Sequence, residues 1–557
     1  MEARVSGPPL VEILAQALAA RGVTHAFGMP GGASLPLLEA LRGAGIDFVL
    51  IRHEGSAGFM ADAAFHITRA PGVCIATLGP GATNLVSGVA GSLLERSKVV
   101  AITSQIQSGI RDRYTHQILD HVALFQPVAR RVVHLKADIA AMQVMAALAT
   151  LDRHPPGPIV IDIPSDVNRA PQMIVDPKMG MGPRTQPVPD VTAAAARLAA
   201  AKKPVIVVGC GELSYPVANG LRRLVTATDA VCLTTYRAAG MADEAHPLWA
   251  GCFGLSPVVD AAQQALLAEA DLMVAVGLDP VELRPNWLPG WPDALPIISV
   301  DAFGQPDLLG NIVDELTGPV RDTLDALRIA AFGASPGDAP EGEDAEAGVI
   351  IPGDSSWSDE ALATHRHGWR APFLDGPNGP AAAVHAAQRG SPEGTRFCLD
   401  VGAHRITASH VLRAAVPNQI LQSNGFSSMG TALPMAIASR LVAPEQPVVA
   451  LTGDAGLQMS LGELGVVAER GLDLVIVVFA DRTLSLIALK QEREDLPAHG
   501  VHFQNPDIEK LAAAFGGVGV RVQGASATRR AVAEAHAAGG LRIVEVEIDA
   551  AAYRRQM

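Results

Sequence analysis

The stretch that decides the fold is "LTGDAGLQMSLGELGVVAERGLDLVIVVFADRTLSL", residues 451–486. It begins at the end of an apolar run, passes through Gly-Asp-Ala-Gly and an amphipathic segment, and leaves along a second apolar run that stops at Asp481. Two apolar runs joined by a helical segment are typical of neighbouring parallel strands buried on both faces. Asp454 and Asp481 are therefore predicted to lie together at the carboxyl edge of one sheet.

The same alternation of short Val/Ile-rich runs and helical patterns returns along the chain. Residues 8–180 contain runs such as "THAFGMPG", "GVCIATLG" and "GPIVIDIPSDV", and the pattern appears twice more further on. Strands that alternate with helices predict an α/β fold, here with three doubly wound parallel-sheet domains. The predicted boundaries are 1–180 for the first domain, 190–332 for the second, 333–370 for a linker rich in Gly, Pro and acids, and 371–557 for the third.

Composition disfavours several classes of protein. A formal net charge of −14 over 557 residues makes nucleic acids and anionic membranes poor partners. No apolar run approaches the roughly 20 residues of a membrane span and no charged-then-apolar leader opens the sequence, so we expect a soluble cytoplasmic protein. The cysteines are far apart and show no CxxC pair, which predicts free thiols. They are Cys74, Cys210, Cys232, Cys252 and Cys398.

Asp454 and Asp481 admit two interpretations. Two side-chain oxygens beside a helix N-terminus suit a hard cation such as Mg²⁺ that also bridges a diphosphate, and a tight turn at Gly-Asp-Ala-Gly lets backbone N–H groups approach that ligand. In the plainer interpretation, Asp454 only caps the helix predicted over "SLGELGVVAERG", and Asp481 is a loop acid. The motif alone does not decide between them.

Glu54 occupies a similar position in the first domain. The segment "FVLIRHEGSAGFMADAAF" places it directly after a strand and at the head of a helix that contains small residues. An acid there can simply interact favourably with the helix dipole. It can also serve chemistry that needs a carboxyl group held in a fixed place.

Six segments stand in order along the chain: "FGMPGGASLPLLEAL", "RHEGSAGFMADAAF", "TLGPGATNLVSGVAGSLLERSKVVAITSQ", "SNGFSSMGTALPMAIASRL", "GDAGLQMSLGELGVVAERGL" and "NPDIEKLAAAFG". Together they resemble the acetolactate synthase (acetohydroxyacid synthase) branch of the thiamine-diphosphate-dependent enzymes. The resemblance implies pyrimidine-binding, central and diphosphate-binding domains, and active sites at the interface of two subunits in a homodimer or a dimer of dimers. It implies thiamine diphosphate and Mg²⁺ as cofactors and a small 2-oxoacid as substrate.

The resemblance also implies which residues surround the aminopyrimidine of the cofactor. Glu54 shares a proton with a ring nitrogen and so promotes the imino tautomer that activates the cofactor. The backbone of Ser427 accepts a hydrogen bond from the amine, and Met429 wedges between the two rings and bends the cofactor. The other residues implied near the aminopyrimidine are Gly79, Pro80 and Asn84 of "GPGATN".

For the metal, the resemblance implies the side chains of Asp454 and Asp481 and the carbonyl of Thr483 as ligands. Two residues depart from the family's motif, because Ala455 replaces a glycine and Asp481 replaces an asparagine. Alanine fits if φ stays negative, and aspartate supplies the same oxygen with an added charge, so metal binding is expected to survive. The phosphate-binding residues implied are Gly402 and His404 of "GAH", Gly453, and the amides of Ala455 and Gly456.

Substrate-facing positions follow the family less closely. In "RYTHQILDHV", Gln117 is kept and His116 replaces a phenylalanine; both are candidates to orient or protonate a substrate oxygen in a water-poor cleft, although a lone histidine is more often a satisfied polar residue. Lys490 replaces the tryptophan that selects the second 2-oxoacid. It meets an acceptor carboxylate or phosphate, or it points to solvent. The remaining pocket positions implied are Gly31, Gly32, Ala33, Leu486 and Ile487.

The second domain carries only part of a dinucleotide fingerprint. "VIVVGCGELS" has Gly209 and Gly211, but Ser214 stands where the last glycine belongs, so the fingerprint behind the rival hypothesis of an NAD-dependent oxidoreductase is incomplete. In the family this domain holds FAD, ADP or nothing. The family's flavin-contact segment is replaced by "GLDPVELRPNW", and we do not expect bound FAD.

The expected activity is that of a thiamine-diphosphate- and Mg²⁺-dependent decarboxylase or carboligase, with acetolactate-synthase-like carboligation of pyruvate as the leading hypothesis. A carbon–carbon lyase, or a specialised carboligase or decarboxylase with another substrate, is the alternative within this class. A catalytically silent partner subunit is a third hypothesis, suggested by Ala455 and Asp481. A silent chain, however, has no chemical need for Glu54.

Overall fold

The computed structural model describes residues 7–111, 113–182, 186–287, 291–292, 294–304, 310–334 and 356–557. Within these ranges the chain forms three sheets, each of six parallel strands with flanking helices, which confirms the predicted α/β fold. No helix in the described ranges is both long and apolar enough to cross a membrane. All five cysteines are free, as predicted, and all but Cys210 are buried.

The N-terminal domain is built on the first sheet, whose central strands are apolar and fully buried. Its strands are β1 (His25–Gly28), β2 (Asp47–Leu50), β3 (Gly72–Ala76), β4 (Val99–Gln105), β5 (Arg131–His134) and β6 (Ile159–Pro164). Its helices are α1 (Leu10–Ala19), α2 (Leu35–Gly43), α3 (Glu54–Thr68), α4 (Pro80–Leu94), α5 (His121–Phe125) and α6 (Ala140–Leu148). The strand order is β2-β1-β3-β4-β6-β5, so the loops after β1, β2, β3 and β4 meet at one edge.

The central domain repeats this plan. Its strands are β7 (Pro204–Val208), β8 (Val231–Thr235), β9 (Trp249–Phe253), β10 (Leu272–Val276), β11 (Ile297–Asp301) and β12 (Ile312–Thr317). Its helices are α7 (Thr192–Ala200), α8 (Tyr215–Thr228), α9 (Pro257–Leu267) and α10 (Val320–Phe332). The strand order is β12-β11-β10-β7-β8-β9, which reverses direction at β7.

A helix lies inside the predicted linker. This helix, α11 (Asp359–Arg370), carries Trp369, which is buried against Trp249 of β9 with ring centroids 6.1 Å apart. The end of the predicted linker therefore packs on the central domain. Its composition concealed this, because α11 is largely polar and its stability comes from distant aromatic contacts. Residues 335–355 of the predicted linker lie outside the described part of the chain.

The C-terminal domain contains the stretch 451–486. Its strands are β13 (Arg396–Leu399), β14 (Ile420–Gln422), β15 (Val448–Gly453), β16 (Leu474–Ala480), β17 (Val518–Gln523) and β18 (Leu541–Glu547). Its helices are α12 (Pro380–Gly390), α13 (Ala403–Val411), α14 (Ala432–Val442), α15 (Asp454–Met459), α16 (Leu464–Glu469), α17 (Ser485–Arg493), α18 (Ile508–Ala514), α19 (Ala525–Ala538) and α20 (Tyr553–Gln556). The strand order is β14-β13-β15-β16-β18-β17, and β15 pairs directly with β16, as predicted.

One detail predicted for this stretch is wrong. The helix begins at Asp454 itself, so Gly-Asp-Ala-Gly leads straight into a helical turn instead of forming a separate tight turn. That helix ends at Met459, and a short 3₁₀ turn separates it from α16. The helix predicted over 460–471 is therefore shorter than expected, because only Leu464–Glu469 are α-helical, and the amides nearest Asp454 are those of the start of α15.

The N-terminal and C-terminal domains share one apolar core. Helix α3 lies between α4 and α14, and buried residues of all three helices belong to one cluster. At the domain boundary the Glu463 carboxylate accepts hydrogen bonds from the backbone amides of Arg52 at 3.2 Å and His53 at 3.1 Å. The next residue is Glu54, so this contact fixes the start of α3 against the C-terminal domain.

The crossing of α3 and α4 depends on two glycines. A Cβ atom on Gly58 would lie 2.5 Å from the Cα atom of Gly88. Gly58→Val should therefore separate the helices and lower the free energy of unfolding by about 1–3 kcal/mol, which a lower apparent melting temperature would reveal. Gly43→Ala is the control, because a Cβ there meets nothing within 4 Å. A melting temperature for Gly58→Val equal to that of the wild type would contradict the close crossing.

Glu95, which follows α4, also joins these two domains and accepts a hydrogen bond from the Asn424 amide. Burial of its carboxyl group, together with the nearby Asp62, raises the pKa of Glu95 to about 8 from 4.5. Between pH 4.5 and about 8, the folded chain therefore keeps a proton on Glu95 that the unfolded chain releases. The associated stability is present below pH 4.5 and is lost as the pH rises through about 8.

Glu95→Gln should remove this pH dependence. The variant keeps an acceptor for the Asn424 amide but carries no titrating group, so it should melt at a higher temperature than the wild type at pH 9 and close to it at pH 5. Melting curves across this range measure the difference. The exposed Glu12→Gln is the matched control and should follow the wild type throughout. A gap between Glu95→Gln and the wild type that does not widen with pH would contradict the prediction.

Candidate active site

A cavity of about 240 Å³ opens at the carboxyl edge of the C-terminal sheet. It lies where the loops after β13, β15 and β16 meet, beside the starts of α13, α15 and α17. We call it the C-terminal cavity. The predicted site residues that line it are Gly402, His404, Ser427, Met429, Gly453, Asp454, Ala455, Gly456, Asp481, Thr483, Leu486 and Ile487. Phe479 and Tyr553, which the sequence did not single out, line it as well.

Asp454 is the hydrogen-bonding centre of this cavity. Its Oδ1 accepts from the Ala455 amide at 2.9 Å. Its Oδ2 accepts from the amides of Asp481 at 3.2 Å and Arg482 at 2.8 Å, and from the Asn505 side chain at 3.0 Å. The carboxylate thereby ties the start of α15 to the loop after β16. Each carboxylate oxygen has two lone pairs, so Oδ1 keeps one for a further partner.

Asp481 has a similar spare capacity. Its Oδ1 accepts from the Thr483 amide at 3.0 Å, and its Oδ2 accepts from the Ser485 hydroxyl. Burial, reinforced by the neighbouring charge of Asp454, raises the pKa of Asp481 to about 6. Two carboxylates side by side repel each other, and a divalent cation that prefers oxygen ligands relieves that repulsion. The pair therefore fits Mg²⁺.

A cation at this pair needs further ligands. Among the described residues, no group of three or more His, Cys, Asp or Glu side chains is placed to hold a metal. Backbone oxygens and the oxygens of a diphosphate would have to supply the remaining ligands of such a cation, as is usual for Mg²⁺ in proteins. The Thr483 carbonyl predicted as a ligand belongs to a residue that lines the cavity.

His404 carries a buried nitrogen without a partner in the described structure. Its ring stacks on Phe479 at 5.6 Å, and its Nε2 has no hydrogen bond there. Burial, with a contribution from Arg405, lowers the pKa of His404 to about 3, so the ring is neutral at pH 7. His404 lies in the first turn of α13, and the N–H groups at the start of a helix favour an anion. A phosphate group fits both features.

Hydrogen bonds to Asp400 hold the turn that carries Ser427 and Met429. Asp400 accepts from the amides of Gly430 and Thr431, both at 3.2 Å, and from the Thr452 hydroxyl at 2.8 Å. Ser427 has φ of 51°, a left-handed conformation that is costly for a residue with a side chain. The sequence interpretation gave Asp400 no role. Asp400 directly follows β13, as Asp454 follows β15, and this position could have marked Asp400 as a site residue in the sequence.

Glu54 heads α3 in the N-terminal domain, and only 6% of it is exposed. Asn84 of α4 donates from its side chain to the Glu54 Oε2 at 3.0 Å. A Cβ atom on Gly81 would lie 3.2 Å from the Glu54 Oε1, so the glycine leaves room at that oxygen. One carboxylate oxygen is therefore held by Asn84, and the other is open to a second partner.

The other residues predicted in the N-terminal domain lie at the same sheet edge. Gly79 has φ of 63° and packs on Gln117, because a Cβ on Gly79 would lie 2.7 Å from the Gln117 carbonyl oxygen. Pro80 begins α4. His116 and Gln117 are exposed. We call the N-terminal group the predicted site residues Gly31, Gly32, Ala33, Glu54, Gly79, Pro80, Asn84, His116 and Gln117.

The loop after β1 completes this edge. Gly31 lies so close to Thr77 that a Cβ on the glycine would be 2.1 Å from the Thr77 hydroxyl oxygen. The Ala33 carbonyl accepts from the Asn168 side chain at 2.7 Å, which fixes the loop. Gly32 starts a short 3₁₀ turn and is exposed.

One chain does not bring the two sets of residues into one cavity. No described residue of the N-terminal domain lines the C-terminal cavity. Lys490, the remaining predicted pocket residue, is exposed on α17 and does not line it either. Each domain therefore assembles its own half of the predicted site.

In the central domain, the Gly-rich loop is already hydrogen-bonded to a side chain of the same domain. The Cys210 amide, between Gly209 and Gly211, donates to the Glu282 carboxylate at 2.8 Å. Burial raises the pKa of Glu282 to about 7, and only 1% of this residue is exposed. A carboxylate thus sits where such a loop receives a phosphate, and the loop does not fit a dinucleotide in this form. The expectation of no bound FAD stays a prediction.

Three domain families match the chain in order. The "Thiamine pyrophosphate enzyme, N-terminal TPP binding domain" matches residues 9–124, the "central domain" of the same enzymes matches 191–327, and their "C-terminal TPP binding domain" matches 400–546. The first match contains Glu54 and the rest of the N-terminal group. The last contains almost all of the C-terminal cavity.

Full-length relatives agree with these matches. The chain is 29% identical to an acetolactate synthase of Bacillus subtilis, over 97% of this chain and 93% of the relative. It is 28% identical to a catabolic acetolactate synthase of Raoultella terrigena, over 97% and 94% of the two chains. The large subunit of acetolactate synthase isozyme 2 of Escherichia coli is 28% identical, over 93% and 91%. The chain therefore belongs to the thiamine-diphosphate-dependent enzymes, and within them to the acetolactate synthase-like branch.

Proposed function

We propose that this enzyme decarboxylates a small 2-oxoacid and transfers the remaining fragment to a carbonyl acceptor, with Mg²⁺ holding the diphosphate of its cofactor. The observation that carries the proposal is the C-terminal cavity. There the acids Asp454 and Asp481 share one small space with the unpartnered nitrogen of His404. A hard cation and a phosphate group satisfy all three at once.

Thiamine diphosphate, when bound, would supply a nucleophilic carbon and a sink for the electron pair left by CO₂. Glu54 would hold a proton between its carboxylate and a ring nitrogen of the aminopyrimidine. Asn84 fixes one carboxylate oxygen by its 3.0 Å hydrogen bond, so the other would be free to interact with the ring nitrogen. Gly81 keeps that oxygen uncovered.

Residues of the C-terminal cavity hold the diphosphate. His404 is neutral, so it contributes a hydrogen bond rather than a charge. Asp454, Asp481 and the Thr483 carbonyl would hold Mg²⁺, whose charge would offset that of the acids and the phosphates. The Gly456 amide, at the start of α15, would be available to the phosphate oxygens, whereas the Ala455 amide is already bonded to Asp454.

The wall of the cavity is apolar on its other side. Met429, Leu486 and Ile487 line it, together with Phe479 and Tyr553. These side chains exclude water from the reacting atoms and leave room for a small substituent on the 2-oxoacid. Exclusion of water favours loss of the charged carboxylate as CO₂.

A second copy of the chain supplies the missing half of each site. This is supported by the separation of the two halves in one chain, and by exposed apolar residues beside each half. Beside the N-terminal group these are Ile110, Tyr114 and Leu119, which are 43%, 46% and 44% exposed, and beside the C-terminal cavity they are Met459 and Ile487, which are 64% and 44% exposed. In the paired arrangement His116 and Gln117 are covered and face the substrate.

Pyruvate is the proposed donor, and a second pyruvate is the proposed acceptor, which gives acetolactate. The names of the three relatives support this choice. Lys490 favours a second candidate, because it stands exposed one helical turn beyond Leu486, where it can meet an acceptor that carries a carboxylate or a phosphate. In that case the enzyme is a carboligase or carbon–carbon lyase with a larger anionic substrate.

The test is to give purified enzyme thiamine diphosphate, Mg²⁺ and a panel of 2-oxoacids, and to measure CO₂ and the products. Acetolactate as the main product from pyruvate supports the proposal. Release of CO₂ without acetolactate would move the assignment to the second candidate. Tight cofactor binding with no CO₂ from any 2-oxoacid would contradict decarboxylation.

Glu54→Gln should abolish the proton-sharing role while it keeps an acceptor for Asn84. Turnover should fall by about 10²–10⁴-fold, the usual size of an acid–base contribution. Steady-state rates of CO₂ release measure the loss. Glu39→Gln is the control, because Glu39 is an exposed acid of the same domain that pairs only with Arg42 among the described residues. Turnover of Glu54→Gln within a few-fold of the wild type would contradict the assignment.

Chelation of the metal should weaken binding of thiamine diphosphate by at least about tenfold, and added Mg²⁺ should restore it. Asp454→Ala should bind the cofactor weakly even with Mg²⁺, because it loses both a ligand and the tie to the loop after β16. Asp481→Asn keeps a ligand oxygen and should retain most of the affinity. Asp473→Asn, in the loop before β16 at the opposite edge of the sheet, is the control. Fluorescence titration gives the affinities, and equal values with and without metal would contradict the metal site.

A further inference from the structure

A buried pair lies behind the N-terminal group. His121, the first residue of α5, and Asp162, in β6, have side chains that are 0% and 1% exposed. The Nδ1 of His121 is 2.8 Å from the Asp162 Oδ1, and the Nδ1 of His134 is 2.7 Å from the Asp162 Oδ2. The Thr103 hydroxyl donates to Asp162 at 2.8 Å. Burial alone would raise the pKa of Asp162, but these hydrogen bonds outweigh it and lower that pKa.

The charge of Asp162 decides which nitrogen of His121 carries the proton. An ionised carboxylate only accepts hydrogen bonds, so both histidines must donate to it through Nδ1. In its neutral form His121 is then left with Nε2 as an acceptor. The backbone amide of Gly79 lies 3.3 Å from that nitrogen and donates to it.

Gly79 is a critical position in the N-terminal group. It is buried, has φ of 63°, and directly precedes α4. On one side it packs against Gln117. On the other side it leads into the first turns of α4, which carry Asn84 and its hydrogen bond to Glu54. A shift of the Gly79 amide therefore moves the residues on both sides of the proposed aminopyrimidine site.

We propose that His121, oriented by Asp162, is a positioning residue that holds the Gly79 turn in the shape needed to place Asn84 and Gln117 around Glu54. The inference rests on the proposed function, because it assigns His121 a role toward the cofactor half-site. His121 touches neither Glu54 nor the open carboxylate oxygen. It acts through Gly79, and misplacement of reacting groups by about 1 Å costs on the order of 10²-fold in rate.

The test compares His121→Ala with His121→Gln. Alanine leaves the Gly79 amide without its acceptor. Glutamine offers an oxygen to Gly79 and an N–H to Asp162 in one side chain, so it restores both hydrogen bonds. His410→Ala is the matched control, because His410 is a buried histidine, 1% exposed, that pairs with Cys252 and lies outside this network.

Two readouts separate positioning from folding. Hydrogen–deuterium exchange of peptides that contain Gly79, on protein without cofactor, should be at least about tenfold faster in His121→Ala and near wild type in His121→Gln and His410→Ala. The affinity for thiamine diphosphate and the rate of CO₂ release from pyruvate should fall by about 10²-fold in His121→Ala and recover in His121→Gln.

Unchanged exchange at Gly79 in His121→Ala would overturn the inference. So would equal losses of turnover in His121→Ala and His410→Ala, because that pattern reports general destabilisation. Failure of the wild type to bind thiamine diphosphate would overturn the proposed function and with it the catalytic part of this role. The exchange measurement would still decide whether His121 holds the Gly79 turn.

Discussion

The Asp454 carboxylate is the interaction on which the candidate site depends. It binds four N–H groups that come from the start of α15, the loop after β16 and Asn505. Because β15 and β16 are paired up to Gly453 and Phe479, the two loops that follow them cannot move apart. The consequence is that two acids are held close in a buried place, which raises the pKa of Asp481. The Asp454 and Asp481 carboxylates therefore repel each other, and a bound cation would relieve that repulsion.

Local patterns in the sequence predicted most of this framework. Buried apolar runs that alternate with helices fix parallel strands, and parallel strands bring the residues after them to one edge; this is why Asp454, Asp481 and Glu54 could be chosen in advance. The remainder depends on contacts between distant segments. Hydrogen bonds join Asp400, Glu463 and the His121 network to residues far away in the sequence. The periodicity of a segment does not predict such partners. The polar helix α11 was hidden for the same reason, since the aromatic contacts that hold it lie in the central domain.

The two halves of the site have different roles, and the N-terminal half is held in place by contacts from both domains. The N-terminal half holds one carboxyl group in a fixed orientation, through Asn84 on one side and the contact of Glu463 with the chain before Glu54 on the other. The C-terminal half brings together groups whose chemistry suits an anion and a cation. Rigid support from two sheets suits a reaction that needs a proton donor, a diphosphate-binding group and a water-free pocket at fixed positions relative to one another.

In the proposed dimer, Glu54 of one chain and the C-terminal cavity of another would bind the same cofactor molecule. The most direct measurement is to co-express a Glu54→Ala chain and an Asp454→Ala chain with different affinity tags and to assay the purified mixed dimer. Each variant alone should be inactive. The account predicts that the mixed dimer regains about half the wild-type turnover, because one of its two sites combines an intact N-terminal half with an intact C-terminal cavity. A mixed dimer as inactive as its parents would contradict this arrangement.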